Sequence, residues 1–377
     1  MERKYKIALY NLTTTTKYGG IETFNWEMAK ALAKRGHIVH IYGGKGNIRM
    51  ETPFGVSIFT YPFLSREKIP DFGSRFRKLA ERLSFGLFTV RPLVKGGYDI
   101  IYVHKPYDLP VALLSSRISG AKVLFGSGGT EFFPGYRYMV KRIDSFLACS
   151  KFNASQIEHY SGISPLVLPN GVDTELFRPL DPDTELKHKL ELTDAETVII
   201  SACRLIGLKG IQHAIRSISK LVKDGYLIKY LIIGNGVYKK DLEMLANELS
   251  LKGNVIFLGS IENSQLPRYY SLADIALFPS IADEAFGISI AEAMACGVPV
   301  ISTNIGGIPE VITDGETGIL VRPSDPEGIA EKITFLLSDV NLRKEMGKKA
   351  RQRVVDLFSW DIIVGRLERI FRDLKKL

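Results

Sequence analysis

Residues 6–42 constrain the fold more than any other stretch of the chain. Lys6–Tyr10 (KIALY) reads as a short apolar strand, and a polar loop over residues 11–20 closes on Gly19-Gly20. Apolar residues then recur at Ile21, Phe24, Met28 and Leu32, which is one face of a helix over residues 21–34. Gly36 stops that helix, and residues 37–42 (HIVHIY) form the next strand. Strand, glycine-containing loop, helix and strand make a βαβ unit, which requires a parallel sheet. Paired glycines at the end of the first strand let backbone approach a ligand closely.

The alternation continues with strands at Ile100–Val103, 122–125, 146–150 and 165–169. Residues 170–179 (NGVDTELFRP) and the polar stretch around Pro179 and Pro182 are predicted to be a linker. The pattern restarts at Thr197–Ala202, followed by a helix over 211–224, strand Ile228–Ile233, a helix over 239–249 and a strand over 255–258. A strand at 274–279, a helix at 288–296, strand Val300–Thr303 and a short helix after Gly306-Gly307 follow, and residues 359–377 read as an amphipathic helix. At 377 residues the chain exceeds what one core supports, so two successive α/β domains are expected. Ligands in such sheets sit beyond the carboxyl ends of strands, which points to a cleft between the domains.

Three widely spaced cysteines (Cys149, Cys203, Cys296) argue against a disulfide framework or a zinc site and fit a reducing, cytoplasmic setting. The N-terminus enters a strand directly, with no signal-peptide pattern, and no apolar run reaches the roughly 18 residues of a membrane span. The net charge of +9 is uneven: residues 1–180 carry 25 basic and 14 acidic side chains. A basic half suits an acidic substrate or an anionic membrane surface. Nucleic acid is not expected, because no helix-turn-helix, zinc-finger or RNA-binding signature occurs. Residues 66–95 interleave Arg75, Arg77, Lys78, Arg82, Arg91 and Lys95 with Phe72, Phe76, Leu79, Leu83, Phe85, Leu87 and Phe88. That segment fits an amphipathic helix on an anionic membrane face, peripheral to its inner side, and equally a helix packed on the domain core.

Chemistry concentrates in residues 281–299 (IADEAFGISIAEAMACGVP). Glu284 falls in a loop and Glu292 about a turn into a helix. A helix start favours anions through its unpaired N–H groups, and helical side chains lean back toward it. Two carboxylates beside an anion-binding end suit a ligand with both phosphate and sugar. A surface helix with two solvated glutamates fits the spacing as well. After strand Thr197–Ala202, Arg204 and Lys209 bracket a loop that can clamp a diphosphate, or simply be a solvated basic loop. Gly234-Asn235-Gly236 lacks the third glycine of a dinucleotide fingerprint. Asp181-Pro182-Asp183 reads as a turn. No histidine pair has metal-ligand spacing, and His104 follows a strand facing the expected cleft.

Taken together, these residues resemble retaining glycosyltransferases of family 4, of the GT-B fold. The resemblance spans nearly the whole chain: Gly19-Gly20 before a helix ending in RGH (35–37), PNGVD (169–173), RLIGLKG (204–210), LIIGNG (231–236), VIFLGSI (255–261), EAFGISIAEAMACGVPVI (284–301), GGIPEVI (306–312) and FSW (358–360). It implies two Rossmann-like α/β domains facing each other across a cleft. An acceptor domain would span 1–175 and a nucleotide-sugar donor domain 176–358, with a helix at 359–377 crossing back to the first domain. It implies that Glu292 binds ribose hydroxyls and Glu284 the donor sugar. Arg204 and Lys209 would hold the diphosphate, with backbone N–H groups of Phe286, Gly287, Ile288, Gly19 and Gly20 lining the phosphates. The implied donor is a nucleotide-diphosphate sugar, with no cofactor or metal required, and the acceptor a lipid-linked, polysaccharide or small-molecule hydroxyl.

One departure stands out. The family often has a histidine where this chain has Gly128, in FGSGGTEFF. Gly128, Gly129, Glu131, Lys105 and His104 are the candidates for the acceptor side. The departure keeps two other readings open: a sugar-nucleotide-binding protein with impaired turnover, and a GT-B sugar-nucleotide epimerase.

Overall fold

The computed structural model describes residues 3–17, 19–46, 52–129, 133 and 135–376, with side chains to residue 374. The chain forms two compact units: residues 1–171 with 360–377, and residues 172–359.

The first unit is built on seven parallel strands: β1 (Lys6–Tyr10), β2 (Ile38–Gly44), β3 (Val56–Tyr61), β4 (Ile100–Val103), β5 (Lys122–Ser127), β6 (Ser145–Ala148) and β7 (Leu166–Val167). Their order across the sheet is β3-β2-β1-β4-β5-β6-β7. The period-2 alternation of strand side chains divides the core between the two faces. Ile7, Leu9, Val39 and Ile41 point to one face, against Trp26, Met28 and Leu32 of helix Gly20–Lys34. Ala8, Tyr10, Ile101 and Val103 point to the other, against Phe85 and Leu93 of helix Ser74–Lys95 and Val111 of helix Leu109–Ser119. Both faces are covered over the central strands, which explains why β1, β4 and β5 are apolar runs rather than alternating with polar residues, whereas the edge strands β3 and β7 are largely exposed.

Helix Trp360–Lys376 belongs to this unit. Its Ile363, Val364, Leu367 and Phe371 are buried with Trp26 and Met28, and Phe24 packs on Trp360 with ring centroids 5.1 Å apart. Helix Ser74–Lys95 packs a stripe of Phe85, Gly86, Thr89 and Leu93 inward. Arg82 on the same face is buried too, donating to Asp108 Oδ2 at 2.9 Å and Asn11 Oδ1 at 3.0 Å.

The second unit carries six parallel strands: β8 (Thr197–Ala202), β9 (Ile228–Ile233), β10 (Val255–Gly259), β11 (Ile275–Phe278), β12 (Val300–Thr303) and β13 (Ile319–Val321), in the order β10-β9-β8-β11-β12-β13. The stretch expected to be a loose linker is instead fastened to this unit. Val172 N–H donates to Phe358 O at 2.8 Å, and Arg351 Nη1 donates to Phe177 O at 3.0 Å. Asp183, expected in a turn, caps helix Thr184–Lys189 by accepting from Leu186 N–H, and pairs with Arg268 at 2.6 Å. Among the described residues, no helix is long and apolar enough to cross a membrane.

Candidate active site

In the second unit the chain runs from β8 outward to β10 on one side and from β11 outward to β13 on the other. The two loops leaving β8 and β11 therefore start at the switch point of this sheet, the position beyond the strand ends where open α/β sheets bind ligands. The β8 loop carries Arg204 and Lys209, and the β11 loop carries Glu284 and the start of helix Ile288–Ala295. Backbone bonds fix both loops: Leu205 N–H donates to Asn235 O at 2.9 Å, and Ile281 N–H donates to Leu208 O at 2.9 Å. Gly210 has φ +70°, and a Cβ there would stand 1.8 Å from Pro279 O. Only glycine lets the loops approach this closely.

Glu284 is held at both ends. Its carbonyl accepts from Gly307 N–H at 2.7 Å. Its half-buried carboxylate accepts from Ser280 Oγ at 3.0 Å and pairs with Lys209 Nζ. Glu292 is buried in the following helix and accepts from Asn263 Nδ2 at 2.9 Å. Arg204 is exposed and has no ion-pair partner among the described residues. Phe286 turns its ring into the core, edge-on to Phe358 at 5.3 Å, so only its backbone faces the loop. The N–H groups of Phe286, Gly287 and Ile288 sit at a helix start, where no intrahelical acceptor exists. Burial pushes the neighbouring Cys203 thiol up to about 12, with Lys209 opposing and Glu284 adding. It stays protonated and unreactive at neutral pH.

In the first unit the switch point falls between β1 and β4. Gly19 caps helix Gly20–Lys34, and Gly20 has open space where a Cβ would stand. Gly129 is likewise open, while a Cβ at Gly128 would touch Ile21 at 3.6 Å. His104, expected to face a cleft, is buried at 7% exposure between Phe24 and Tyr102. Its Nδ1 lies 3.1 Å from Gly126 O, which can only accept, so Nδ1 carries the proton and Nε2 is a bare acceptor. Burial lowers its pKa to about 3, against the Gly126 bond, and the imidazole is neutral. Lys105 is half-buried beside it, and Glu131 lies outside the described residues.

Arg204, Lys209, Glu284 and Phe286–Ile288 thus gather on two adjacent loops of one unit, with Glu292 in the helix that follows, and in the other unit His104, Lys105, Gly128 and Gly129 follow the carboxyl ends of β4 and β5 while Gly19-Gly20 opens the helix after β1. Sequence reading missed Asn263, Ser280 and Gly307 as supports. Asn263 follows the carboxyl end of β10, the position at which every other site loop was sought. Among the described residues, no three His, Cys, Asp or Glu side chains converge as a metal-binding group would.

Comparison with known proteins bears on the family and the fold. The sequence model for "Glycosyl transferases group 1" matches residues 182–353, and that for "Glycosyltransferase Family 4" matches residues 18–176. N-acetyl-alpha-D-glucosaminyl L-malate synthase of Bacillus anthracis is 27% identical over 98% of this chain and 97% of its own. A GDP-mannose-dependent monoacylated alpha-(1-6)-phosphatidylinositol monomannoside mannosyltransferase of Corynebacterium glutamicum is 32% identical over 70% of this chain and 74% of its own. Among solved structures, a glycosyltransferase from Rickettsia africae superposes with a TM-score of 0.83 at 23% identity, covering 99% of each chain. Anabaena HepE in complex with UDP and glucose superposes with a TM-score of 0.79 at 21% identity, over 97% of this chain and 98% of that one.

Proposed function

The chain belongs to glycosyltransferase family 4 and has the GT-B fold, and from that premise we propose that it is a retaining enzyme that moves a sugar from a nucleotide-diphosphate sugar to a hydroxyl acceptor. The observation that carries this reading is the pairing of Lys209 with Glu284 across the β8 and β11 loops, with Arg204 on the same β8 loop. In this reading Glu292 takes the ribose hydroxyls, steadied by Asn263, and the N–H groups of Phe286–Ile288 take phosphate oxygens.

The Lys209–Glu284 pair supplies a rationale for donor entry. A diphosphate is a stronger anion than one carboxylate, so it draws the ammonium toward itself. Glu284 is then released to accept hydrogen bonds from the sugar hydroxyls. As the glycosidic C–O bond breaks, negative charge grows on the leaving phosphate. Arg204, Lys209 and the helix-start N–H groups stabilise that charge more in the transition state than before it. The acceptor oxygen attacks from the same face, its proton passes to the leaving phosphate oxygen, and the anomeric configuration is retained. The reading assigns the charge stabilisation to these side chains rather than to a metal ion.

Relatives named for GDP-mannose and a neighbour solved with UDP and glucose support UDP- and GDP-sugars as the donors to test first. Relatives named for L-malate and for a phosphatidylinositol monomannoside support both small and lipid-linked acceptors. Lys105, Gly128 and Gly129 are assigned to the acceptor side of the reacting sugar and Gly19-Gly20 to the phosphates, while His104, buried between Phe24 and Tyr102, holds the end of β5 through Gly126 without touching substrate. A panel of donor nucleotides read by thermal shift identifies the base, since a ligand at 100 times its dissociation constant adds ~2.7 kcal/mol of stability. Release of UDP or GDP with and without acceptors then tests transfer. Tight nucleotide binding with no turnover on any donor overturns the reading in favour of a binding protein, and acceptor-independent turnover favours an epimerase.

A further inference from the structure

Helix Ser74–Lys95 has two apolar stripes where packing on the core needs one. The inward stripe is Phe85, Thr89 and Leu93, with Gly86 bringing helix Leu109–Ser119 close: a Cβ at Gly86 would stand 2.5 Å from Val111 Cγ2. On the opposite side Phe76, Leu83 and Leu87 recur at intervals of seven and four residues, about two turns and one turn of helix. They are exposed, Leu87 at 82%, as are Phe88 and, just before the helix, Phe72 at 75%. The neighbouring helix Leu109–Ser119 exposes Leu114 and Ile118. A surface helix of a globular protein turns polar residues outward, so a second apolar stripe of this length marks an interaction face.

Charge identifies the occupant. Residues 66–95 hold eight basic and three acidic side chains. Two of the acids are already engaged: Glu81 is buried against Arg66 at 2.6 Å, and Asp71 pairs with Arg77 at 2.8 Å. Arg75, Arg91 and Lys95 are exposed with no acidic partner among the described residues. We propose that this outward face docks on an anionic phospholipid bilayer. Phe72, Phe76, Leu83 and Leu87 enter the acyl boundary, and Arg75, Arg91 and Lys95 lie on the lipid phosphates.

The test is flotation of the full chain with vesicles of phosphatidylcholine alone and of phosphatidylcholine mixed with phosphatidylglycerol, at low and high salt, without sugar nucleotide. Binding is expected to the mixed vesicles only, and to be lost at high salt. R91Q with K95Q is expected to weaken partitioning roughly 25-fold, about 5-fold per charge. F76S with L87S is expected to abolish it while the thermal midpoint holds, because both positions are exposed. Three results overturn the proposal: no flotation with mixed vesicles at low salt, flotation of both variants like the parent, or a dimer in solution that F76S with L87S disperses. The last assigns the face to a second copy of the chain.

Discussion

His37 Nε2 lies 2.8 Å from the Glu368 carboxylate, joining the start of the second strand to the final helix across 331 positions of sequence. The other carboxylate oxygen accepts from Arg35 Nη2 at 2.7 Å. Beneath this polar pair, Phe371 packs edge-on to Tyr5 at 5.4 Å. The final helix is therefore held by apolar burial and oriented by one carboxylate serving two donors.

Glu368→Ala removes both bonds and leaves Arg35 and His37 without that acceptor. Hydrogen bonds to charged groups are worth roughly 1.5–3 kcal/mol, so a loss of about 2–3 kcal/mol in unfolding free energy is expected. Urea titration followed by tryptophan fluorescence checks it, since Trp360 and Trp26 share this core.

Acidification is expected to destabilise the first unit. Burial lowers the His37 pKa from its ordinary value, outweighing Glu368, and burial lowers His104 to about 3. Burial alone would raise Glu368, but the bonds from Arg35 and His37 hold it below the usual glutamate range. For all three groups the unfolded chain binds more protons than the folded one in the window between the two pKa values. Stability is thus fully present above pH ~6.5 and declines as pH falls toward 3. Thermal midpoints measured from pH 7.5 to 4 give the slope, and Glu368→Gln is expected to flatten its acidic end.

The Lys209–Glu284 pair makes two substitutions distinguishable. Lys209→Met is expected to lower turnover ~10²–10³-fold and to weaken nucleoside diphosphate binding. Glu284→Gln is expected to lower turnover comparably while leaving nucleoside diphosphate binding equal or tighter, because Lys209 no longer has a competing carboxylate. Calorimetric titration with UDP and GDP beside steady-state rates separates these outcomes, and equal loss of affinity in both variants refutes the exchange of partners.

Asn263→Ala leaves Glu292 in place but removes its 2.9 Å donor. One hydrogen bond is worth about 1 kcal/mol, so a roughly fivefold rise in donor KM with kcat little changed is expected. A parallel fall in kcat instead would place Glu292 nearer the reacting carbon than the nucleotide.

Gly210→Ala puts a methyl group into the Pro279 carbonyl and asks alanine to adopt φ +70°. Left-handed backbone at a non-glycine residue costs roughly 1–3 kcal/mol, and the clash adds to it. A lower thermal midpoint with loss of activity is expected, since relief of the clash must move the loop carrying Lys209.

The central strands were legible because parallel strands buried on both faces read as unbroken apolar runs, whereas the half-exposed edge strand β3, with Ser57 and Thr60 in it, was not. Lys6–Tyr10, Ile100–Val103, Thr197–Ala202, Ile228–Ile233 and Val300–Thr303 lie where the sequence pattern puts them. Helix Val340–Phe358 was not legible: its buried stripe is Met346, Ala350, Val354 and Phe358 with Gly347, one narrow row on an otherwise charged surface. Strand β13 has three residues, too few for any period. Arg204, Lys209 and the two glutamates were legible as candidates by residue type. The burial of His104 was not, because it depends on Phe24 and Tyr102 closing over it from separate elements.

The chain leaves the first unit at Gly171 and re-enters it at Trp360. A Cβ at Gly171 would lie 2.4 Å from the Trp360 ring, so departure and return pass through one point. During synthesis, the first unit's sheet is complete at residue 167 but one flank of its core stays uncovered until residues 360–374 emerge. The second unit has every strand and helix in hand before then and can fold first, reversing the usual N-terminal-first order. Truncation after residue 359 is accordingly expected to strand the N-terminal half with an open apolar face while sparing the second unit.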